Sequence, residues 1–286
     1  MKRLIVLLGV VGVSLSAVLV RWSDAPSLVL ALYRMAFAAI LLAPVVLLRH
    51  REELRTMARR EFLLCLVSGA FLGMHFAAYF TALTYTSIAS AVLLVDVEVF
   101  FVALCTIFLF RQKLPKTAWI AIVLTFGGSV LVAFADTGIG TDPLRGNIIA
   151  LSGAFFMAVY TMIGTVCRRN ITTTLYTFLV YFSASVTLLA ATLAGGMPLF
   201  GYGMENYLTA LGMTVFCTLL GHSVFSWGLK YLPAAFISTV KLMEPVFAAV
   251  WGLLLFREIP GWMVITGGAV IIWGIALYGR AVSDET

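Results

Sequence analysis

Charge is scarce in this 286-residue sequence, and it is confined mostly to short segments between long apolar runs. Only 11% of the residues are charged, 62% are hydrophobic, and the mean hydropathy is +1.05. Such a composition excludes an ordinary soluble domain. The four cysteines stand far apart, without the spacing of a disulfide framework or a metal site. The sequence also lacks a nucleotide-binding loop and a nucleophile–base set, so we expect neither a pump nor an enzyme, and no cofactor.

The apolar residues form runs of about 20, the length of a helix that crosses a membrane. They predict an all-α integral membrane protein with ten transmembrane helices. These helices cover residues 4–21, 27–48, 62–83, 86–110, 117–135, 144–167, 172–195, 206–228, 233–256 and 260–279. Lys2 and Arg3 precede the first run as in a signal peptide, but no convincing cleavage site follows. We therefore expect the first helix to be retained.

Most of the 19 Lys and Arg residues fall on one side of the predicted membrane. If the amino terminus is cytoplasmic, only Arg21, Arg145 and Arg257 lie in outer segments, and Arg34 and Lys241 lie within helices. Basic residues collect in the cytoplasmic loops of membrane proteins. The pattern predicts a multi-pass protein of the bacterial cytoplasmic (inner) membrane with both termini in the cytoplasm. The net charge of +6 then reports orientation, not binding of nucleic acid.

The two halves of the chain repeat one pattern with a shift of 146 positions. The matched pairs include Leu83 with Leu229, Tyr85 with Tyr231, Ala89 with Ala235 and Glu98 with Glu244. Because each half holds an odd number of helices, the second half enters the membrane from the opposite side. We predict two five-helix inverted-topology repeats, residues 1–140 and 141–286. Inverted repeats are typical of carriers that work by alternating access.

Several segments resemble the EamA-type repeat of the drug/metabolite transporter superfamily. They are ALTYTS at 82–87, GLKYLPA at 228–234, EPVF at 244–247, LFRE at 255–258 and the glycines at 267, 268 and 274. The first copy departs from the pattern, with Val99 in place of Pro245 and Gln112 in place of Glu258. The resemblance covers essentially the whole chain. It implies a ten-helix carrier of small organic solutes, often an exporter of amino acids or related metabolites, without fixing the substrate.

Glu98 and Glu244 are carboxylates inside apolar runs, and an ionisable residue in the membrane is a functional-site hypothesis by default. Glu244 follows Lys241 by three residues, so the two can pair along one helix face. Pro245 predicts a kink beside them. Glu244 then either handles solute or a proton, or fixes helix packing with Lys241. Glu98 has no basic neighbour within one turn, so its partner comes from another helix, a solute or a proton.

Arg34 and Asp96 are further charges within the predicted helices. A guanidinium can hold a carboxylate with two hydrogen bonds, so Arg34 either binds an acidic solute group or pairs with Asp96 or Glu98. Within the helices, three carboxylates face two basic groups. The negative excess favours a solute with an amino group, or a proton-coupled cycle.

Other candidates are weaker. His75 and His222 either relay protons or serve as packing residues. Tyr79 and Trp227 either stack on a solute or occupy ordinary packing and interfacial positions. No set of metal ligands accompanies the histidines.

The sequence thus predicts a secondary transporter, an exporter or exchanger of small polar or amphipathic metabolites, with amino acids or their derivatives favoured. Nucleotide-like metabolites such as S-adenosylmethionine are the alternative. A pore-forming channel is less favoured because no selectivity filter is visible. The expected partners are a small-molecule substrate and the lipid bilayer. Roles for protons and for a homodimer stay open.

Overall fold

The computed structural model describes residues 1–86, 88–111, 113–134, 141–257 and 259–283. Within these ranges the regular secondary structure is entirely helical. Nine helices of the described residues are long and apolar enough to cross a membrane, and Lys116–Val132 forms a shorter apolar helix. The predicted fold class, an all-α membrane protein with ten membrane helices, is confirmed. Ser87, Gln112 and Glu258, which belong to the motifs quoted above, lie outside the described residues.

The described residues form fifteen α-helices and one π-helical segment. The first half contains α1 (Lys2–Ser14), α2 (Ser16–Val20), α3 (Ser27–Arg49), α4 (Arg51–Thr56), α5 (Arg59–Ala82), α6 (Ile88–Asp96), α7 (Glu98–Phe108) and α8 (Lys116–Ala133). The second half contains α9 (Pro143–Cys167), α10 (Thr173–Ala194), α11 (Met204–Met213), the π segment (Thr214–His222), α12 (Ser223–Gly228), α13 (Ala234–Lys241), α14 (Glu244–Phe256) and α15 (Trp262–Ser283). The first, fourth, eighth and ninth spans are therefore interrupted, and α4 is a short helix between spans.

Glycines let the helices of this bundle approach closely. A Cβ atom on Gly73 of α5 would lie 2.7 Å from the Cβ of Thr187 in α10. A Cβ atom on Gly128 of α8 would lie 2.7 Å from the carbonyl oxygen of Gly267 in α15. Small residues at such contacts allow van der Waals packing, which drives helix association in membranes.

Basic residues gather at one end of the bundle, which we call the basic end. The Arg3 guanidinium donates to the carbonyl oxygen of Gly279 at 2.7 Å, and the Lys2 ammonium lies 4.4 Å from the centre of the Tyr231 ring. The Nε of Arg168 donates to the carbonyl oxygen of Ser226 at 3.0 Å. Together these contacts place the start of α1 beside the ends of α9, α12 and α15.

A second set of contacts ties the opposite end together. The side-chain oxygen of Asn206 accepts hydrogen bonds from the Ser23 hydroxyl at 2.5 Å and from the Ala25 amide at 3.1 Å. The Arg145 guanidinium lies 4.4 Å from the centre of the Tyr85 ring. Thus α1 begins at the basic end, whereas α9, its counterpart in the repeat, begins at the opposite end. The two halves run through the bundle in opposite senses, as the odd number of helices per half predicts.

Glu53 of α4 joins the segment between the second and third spans to the start of α10. Its carboxylate accepts hydrogen bonds of 2.7 Å from both the amide and the hydroxyl of Thr172, and His50 Nδ1 lies 3.0 Å away. Partial burial favours the protonated acid, but the hydrogen bonds from Thr172 and His50 outweigh it and hold the pKa of Glu53 below its ordinary value.

Candidate functional site

Two membrane spans are interrupted at equivalent residues of the repeat. In the fourth span α6 ends at Asp96 and α7 begins at Glu98. In the ninth span α13 ends at Lys241 and α14 begins at Glu244. Both carboxylates thus stand at the first position of a half-helix, where the positive end of the helix dipole stabilises negative charge. Interrupted backbone at membrane depth is tolerated where it is buried in protein or lines a cavity.

An ion pair joins these two interrupted spans. Nζ of Lys241 lies 2.5 Å from Oε1 of Glu98, whose side chain is buried. The distance is that of an ion pair, but the angles are not those of a hydrogen bond. The expectation that Lys241 and Glu244 share one continuous helix face is wrong, because Leu242 and Met243 interrupt the helix between them. The break frees the lysine side chain to reach across to the first repeat.

Arg34 lies on α3 and is only 2% exposed. Its Nε donates to the hydroxyl of Thr218 at 2.6 Å, and its guanidinium lies 5.1 Å from the centre of the Phe76 ring. Its Nη2 is buried without a hydrogen-bond partner among the described residues. A buried donor without a partner is costly. The free edge of the guanidinium therefore offers a strong position for an oxyanion.

The π segment, Thr214–His222, supplies the surroundings of Arg34. It carries Thr218, and the Thr214 hydroxyl donates to the Arg34 carbonyl oxygen at 3.1 Å. It packs closely on α1, since a Cβ atom on Gly12 would lie 2.6 Å from the carbonyl oxygen of Phe216. Turns of π-helix within α-helices are frequent at functional sites.

The two histidines pack against the same aromatic ring. Phe76 is 5.2 Å from the ring centre of His75 and 5.6 Å from that of His222. His75 Nδ1 is 3.0 Å from the carbonyl oxygen of Gly153, which suits a packing role. His222 Nδ1 is buried without a hydrogen-bond partner among the described residues. Nδ1 of His222 is thus a ring nitrogen that is open to a ligand or a proton.

Asp96, Glu244 and Tyr79 complete the arrangement. Asp96 and Glu244 are half-buried, and each lies within electrostatic range of the other. Glu244 is also within range of Arg34, and Tyr79 is within range of both carboxylates. We call the following set the central cluster: Arg34, His75, Tyr79, Asp96, Glu98, His222, Lys241 and Glu244. Within it Glu98 and Lys241 neutralise each other, and Arg34 lies within electrostatic range of Glu244, which in turn is in range of Asp96.

Trp227 is not brought into the central cluster. Its ring packs 4.9 Å from that of Tyr231, which in turn lies under Lys2 at the basic end. Conversely, sequence reasoning missed Phe76 and Thr218, which hold the guanidinium of Arg34. Phe76 is adjacent to His75 in sequence. A single phenylalanine in an apolar helix does not, however, indicate a functional site. Thr218 would have required knowledge of the π segment.

A helical membrane fold with buried charges at interrupted spans is typical of a transporter. The family model of the EamA-like transporter family matches residues 2–134 and again residues 144–280. The chain therefore belongs to the EamA-like transporter family.

Known proteins agree with this assignment. The pseudopaline exporter CntI of Pseudomonas aeruginosa strain UCBPP-PA14 is 24% identical over 251 residues, which cover 86% of this chain and 84% of that protein. An uncharacterized transporter of Clostridium kluyveri is 27% identical over 198 residues, covering 68% of this chain and 64% of that one. A solved crystal structure aligns with a TM-score of 0.84 at 17% identity, over 100% of this chain and 99% of the other. That last likeness shows the shared fold alone.

Proposed function

We propose that this transporter exports or exchanges small zwitterionic or amino-bearing metabolites, with amino acids and their derivatives as the favoured class. It works in the bacterial cytoplasmic membrane with both termini inside, and the basic end faces the cytoplasm. The observation that carries the proposal is the central cluster. Among the described residues, its charges outside the Lys241–Glu98 ion pair are one buried guanidinium and two half-buried carboxylates.

The charges of the central cluster match the two ends of such a solute. A solute carboxylate would accept from Nη2 of Arg34, and a solute ammonium group would lie against Asp96 and Glu244. The Lys241–Glu98 ion pair keeps the lysine from neutralising Glu244. A dianionic solute is disfavoured because it would bring two negative charges beside Asp96 and Glu244. Outside the ion pair, Arg34 would then be the one cation of the central cluster to balance four negative charges.

In this proposal the carrier works by alternating access, with repeats 1–140 and 141–286 rocking about the interrupted fourth and ninth spans. The Lys241–Glu98 ion pair crosses between these units. A proton on Glu98 would release Lys241. The lysine could then pair with Glu244, which lies within electrostatic range of Lys241. This exchange of partners provides a physical route for proton coupling. Solute drives the cycle only if the two states bind it with different affinity.

Export is favoured over import because a similar protein is named an exporter, although identity of 24% does not transfer its substrate. The proposed orientation also favours export. It places the cations of the basic end on the cytoplasmic side, where an exported solute would enter.

Counterflow in reconstituted vesicles tests the proposed function. Vesicles are preloaded with unlabelled metabolite and supplied outside with trace radiolabelled amino acids, amino-acid derivatives or S-adenosylmethionine. We expect transient accumulation of the label with amino acids or derivatives. Accumulation with S-adenosylmethionine alone would assign the alternative substrate class. Flux that persists without transient accumulation would identify a channel and overturn the carrier mechanism.

A further inference from the structure

A cavity of about 270 Å³ opens at the basic end, away from the central cluster. It lies between the end of α7, the end of α9 and the turn from α12 to α13. Thr106, Met162 and Ala234 are buried and form its floor, whereas Arg169 and Lys230 are exposed at its rim. Its volume is near the lower limit of small-molecule sites, which begin at roughly 300 Å³.

The cavity is positively charged. The described residues that line it include two cations, Arg169 and Lys230, and no carboxylate. The guanidinium of Arg169 lies 6.0 Å from the centre of the Phe110 ring, which also lines the cavity. Membrane orientation alone explains why cations occupy this end. Membrane orientation does not explain why Arg169 and Lys230 border the cavity. Arg59 and Arg60 of α5 are exposed at the same end and do not line the cavity.

The start of α13 adds to the positive potential. Ala234, its first residue, lines the cavity, and no side chain caps this helix end. The first turn of a helix leaves amide donors without intrahelical partners, and such ends attract anions. This helix end supports the two cations and does not by itself define the site.

The cavity also lies in line with the ion pair of the central cluster. Thr106 is on its floor and follows Glu98 by eight residues on α7, with both side chains buried. Eight residues of α-helix span about 12 Å at roughly 1.5 Å each. Ala234 begins α13, and Lys241 ends it. The two helices that flank the cavity thus carry the two partners of the ion pair.

We propose that this basic-end cavity is a first binding site for carboxylate-bearing solutes, from which they pass to the central cluster. The proposal rests on the proposed function for the direction of transport, but the anion site itself does not. The same charges would suit the headgroup of an anionic lipid. A floor enclosed by three helix ends and a volume of small-metabolite size favour a free solute.

Thiol labelling tests the anion preference without any need for transport. Thr165 lines the cavity and is half-buried, so Thr165→Cys introduces a reporter thiol of similar size. The variant is reacted in detergent with methanethiosulfonate reagents of negative or positive charge, and labelling is read by mass spectrometry at this position. We expect the ratio of negative to positive reaction rates to fall about tenfold when Arg169→Ala and Lys230→Ala are added, since local potential changes encounter rates to that degree.

The matched control adds Arg59→Ala and Arg60→Ala, which remove two cations from the same end without touching the cavity. We expect the ratio of rates to stay within twofold there. An equal fall in both backgrounds would show a general surface potential and would overturn the site. An unchanged ratio in the Arg169→Ala, Lys230→Ala background would overturn it as well.

Protection of the reporter thiol distinguishes the sources of the anion. Aspartate and its diamide are close in shape, and only aspartate bears carboxylates, so we expect aspartate to slow labelling at a concentration at least tenfold lower. Equal protection by both would overturn the proposal. Protection by phosphatidylglycerol and none by aspartate would assign the cavity to lipid and overturn the solute site. Selective protection by aspartate without any counterflow would retain the anion site and overturn the proposed transport.

Discussion

Nζ of Lys241 lies 2.5 Å from Oε1 of Glu98, so a lysine of the second repeat neutralises a carboxylate of the first. The position that corresponds to Lys241 in the first repeat is Val95. The ion pair therefore has no counterpart at the symmetry-related place, and the two halves of this transporter are electrically unequal at their centre.

Substitution of the ion pair should show that its two members are not equivalent. Lys241→Met leaves the carboxylate of Glu98 without its partner, and loss of one member of a buried pair costs about 3–5 kcal/mol of stability. Glu98→Gln should cost less, because Lys241 has Glu244 within electrostatic range. The double variant should be more stable than Lys241→Met alone. Thermal unfolding in detergent measures these differences, and strictly additive losses would contradict the coupling.

Glu98→Gln also separates folding from proton coupling. We expect counterflow to weaken, because Lys241 then turns to Glu244, and the remaining counterflow to lose its dependence on pH, because the glutamine cannot exchange a proton. Glu61→Gln at the basic end, whose partner is Asn170, serves as a control that should keep the wild-type pH profile. A pH profile unchanged by Glu98→Gln would remove this residue from the coupling mechanism.

Arg34→Lys tests recognition of a solute carboxylate. Lysine keeps the charge but loses the planar fork that bonds Thr218 and stacks on Phe76. We expect the KM of carboxylated solutes to rise about tenfold, corresponding to about 1.4 kcal/mol, with little change for their methyl esters. Arg168→Lys, at a second deeply buried arginine, should lower stability without changing this preference. An equal loss for acids and esters would reduce Arg34 to a packing role.

Much of the architecture could be predicted from the sequence, because it depends on the lengths of the apolar runs and on an internal repeat. Apolar length fixes the spans, and the shift of 146 positions relates Glu98 to Glu244. The break at Val97 escaped prediction because no proline or glycine adjoins it, whereas Pro245 stands beside the break in the ninth span. The ion pair escaped prediction because Glu244 lies nearer to Lys241 in sequence, whereas the break in the ninth span directs the lysine to Glu98. Such contacts depend on tertiary packing.

Adjacent glycines on α8 provide a matched test of helix packing. Gly128→Ala would place its Cβ atom 2.7 Å from the carbonyl oxygen of Gly267, whereas the same change at Gly127 meets nothing within 4 Å. We expect Gly128→Ala to lower stability by about 1–3 kcal/mol through overpacking. Gly127→Ala should be neutral or slightly stabilising, since glycine is a poor helix former. Equal unfolding temperatures of the two variants would show that α8 and α15 do not pack as described.

Glu53 should make stability depend on pH in the acidic range. Its folded pKa is below the ordinary value of 4.5, because Thr172 and His50 hold the carboxylate against the effect of partial burial. The stabilisation is thus fully present above about pH 4.5 and is lost as the pH falls through the lowered folded value. Glu53→Gln should unfold at a lower temperature than wild type at pH 7, and the difference should shrink below pH 4.5. Glu52→Gln, at a side chain 80% exposed, should show no such convergence.

The fourth and ninth spans are interrupted at equivalent residues, although the residues beside the two breaks differ. Pro245 adjoins only one of the two breaks, and Val99 stands at the corresponding place in the other. A feature common to both copies cannot arise from a residue that only one of them holds. The interrupted helix and its carboxylate are therefore common to both copies of the repeat, whereas the proline and the lysine occur in the second copy alone.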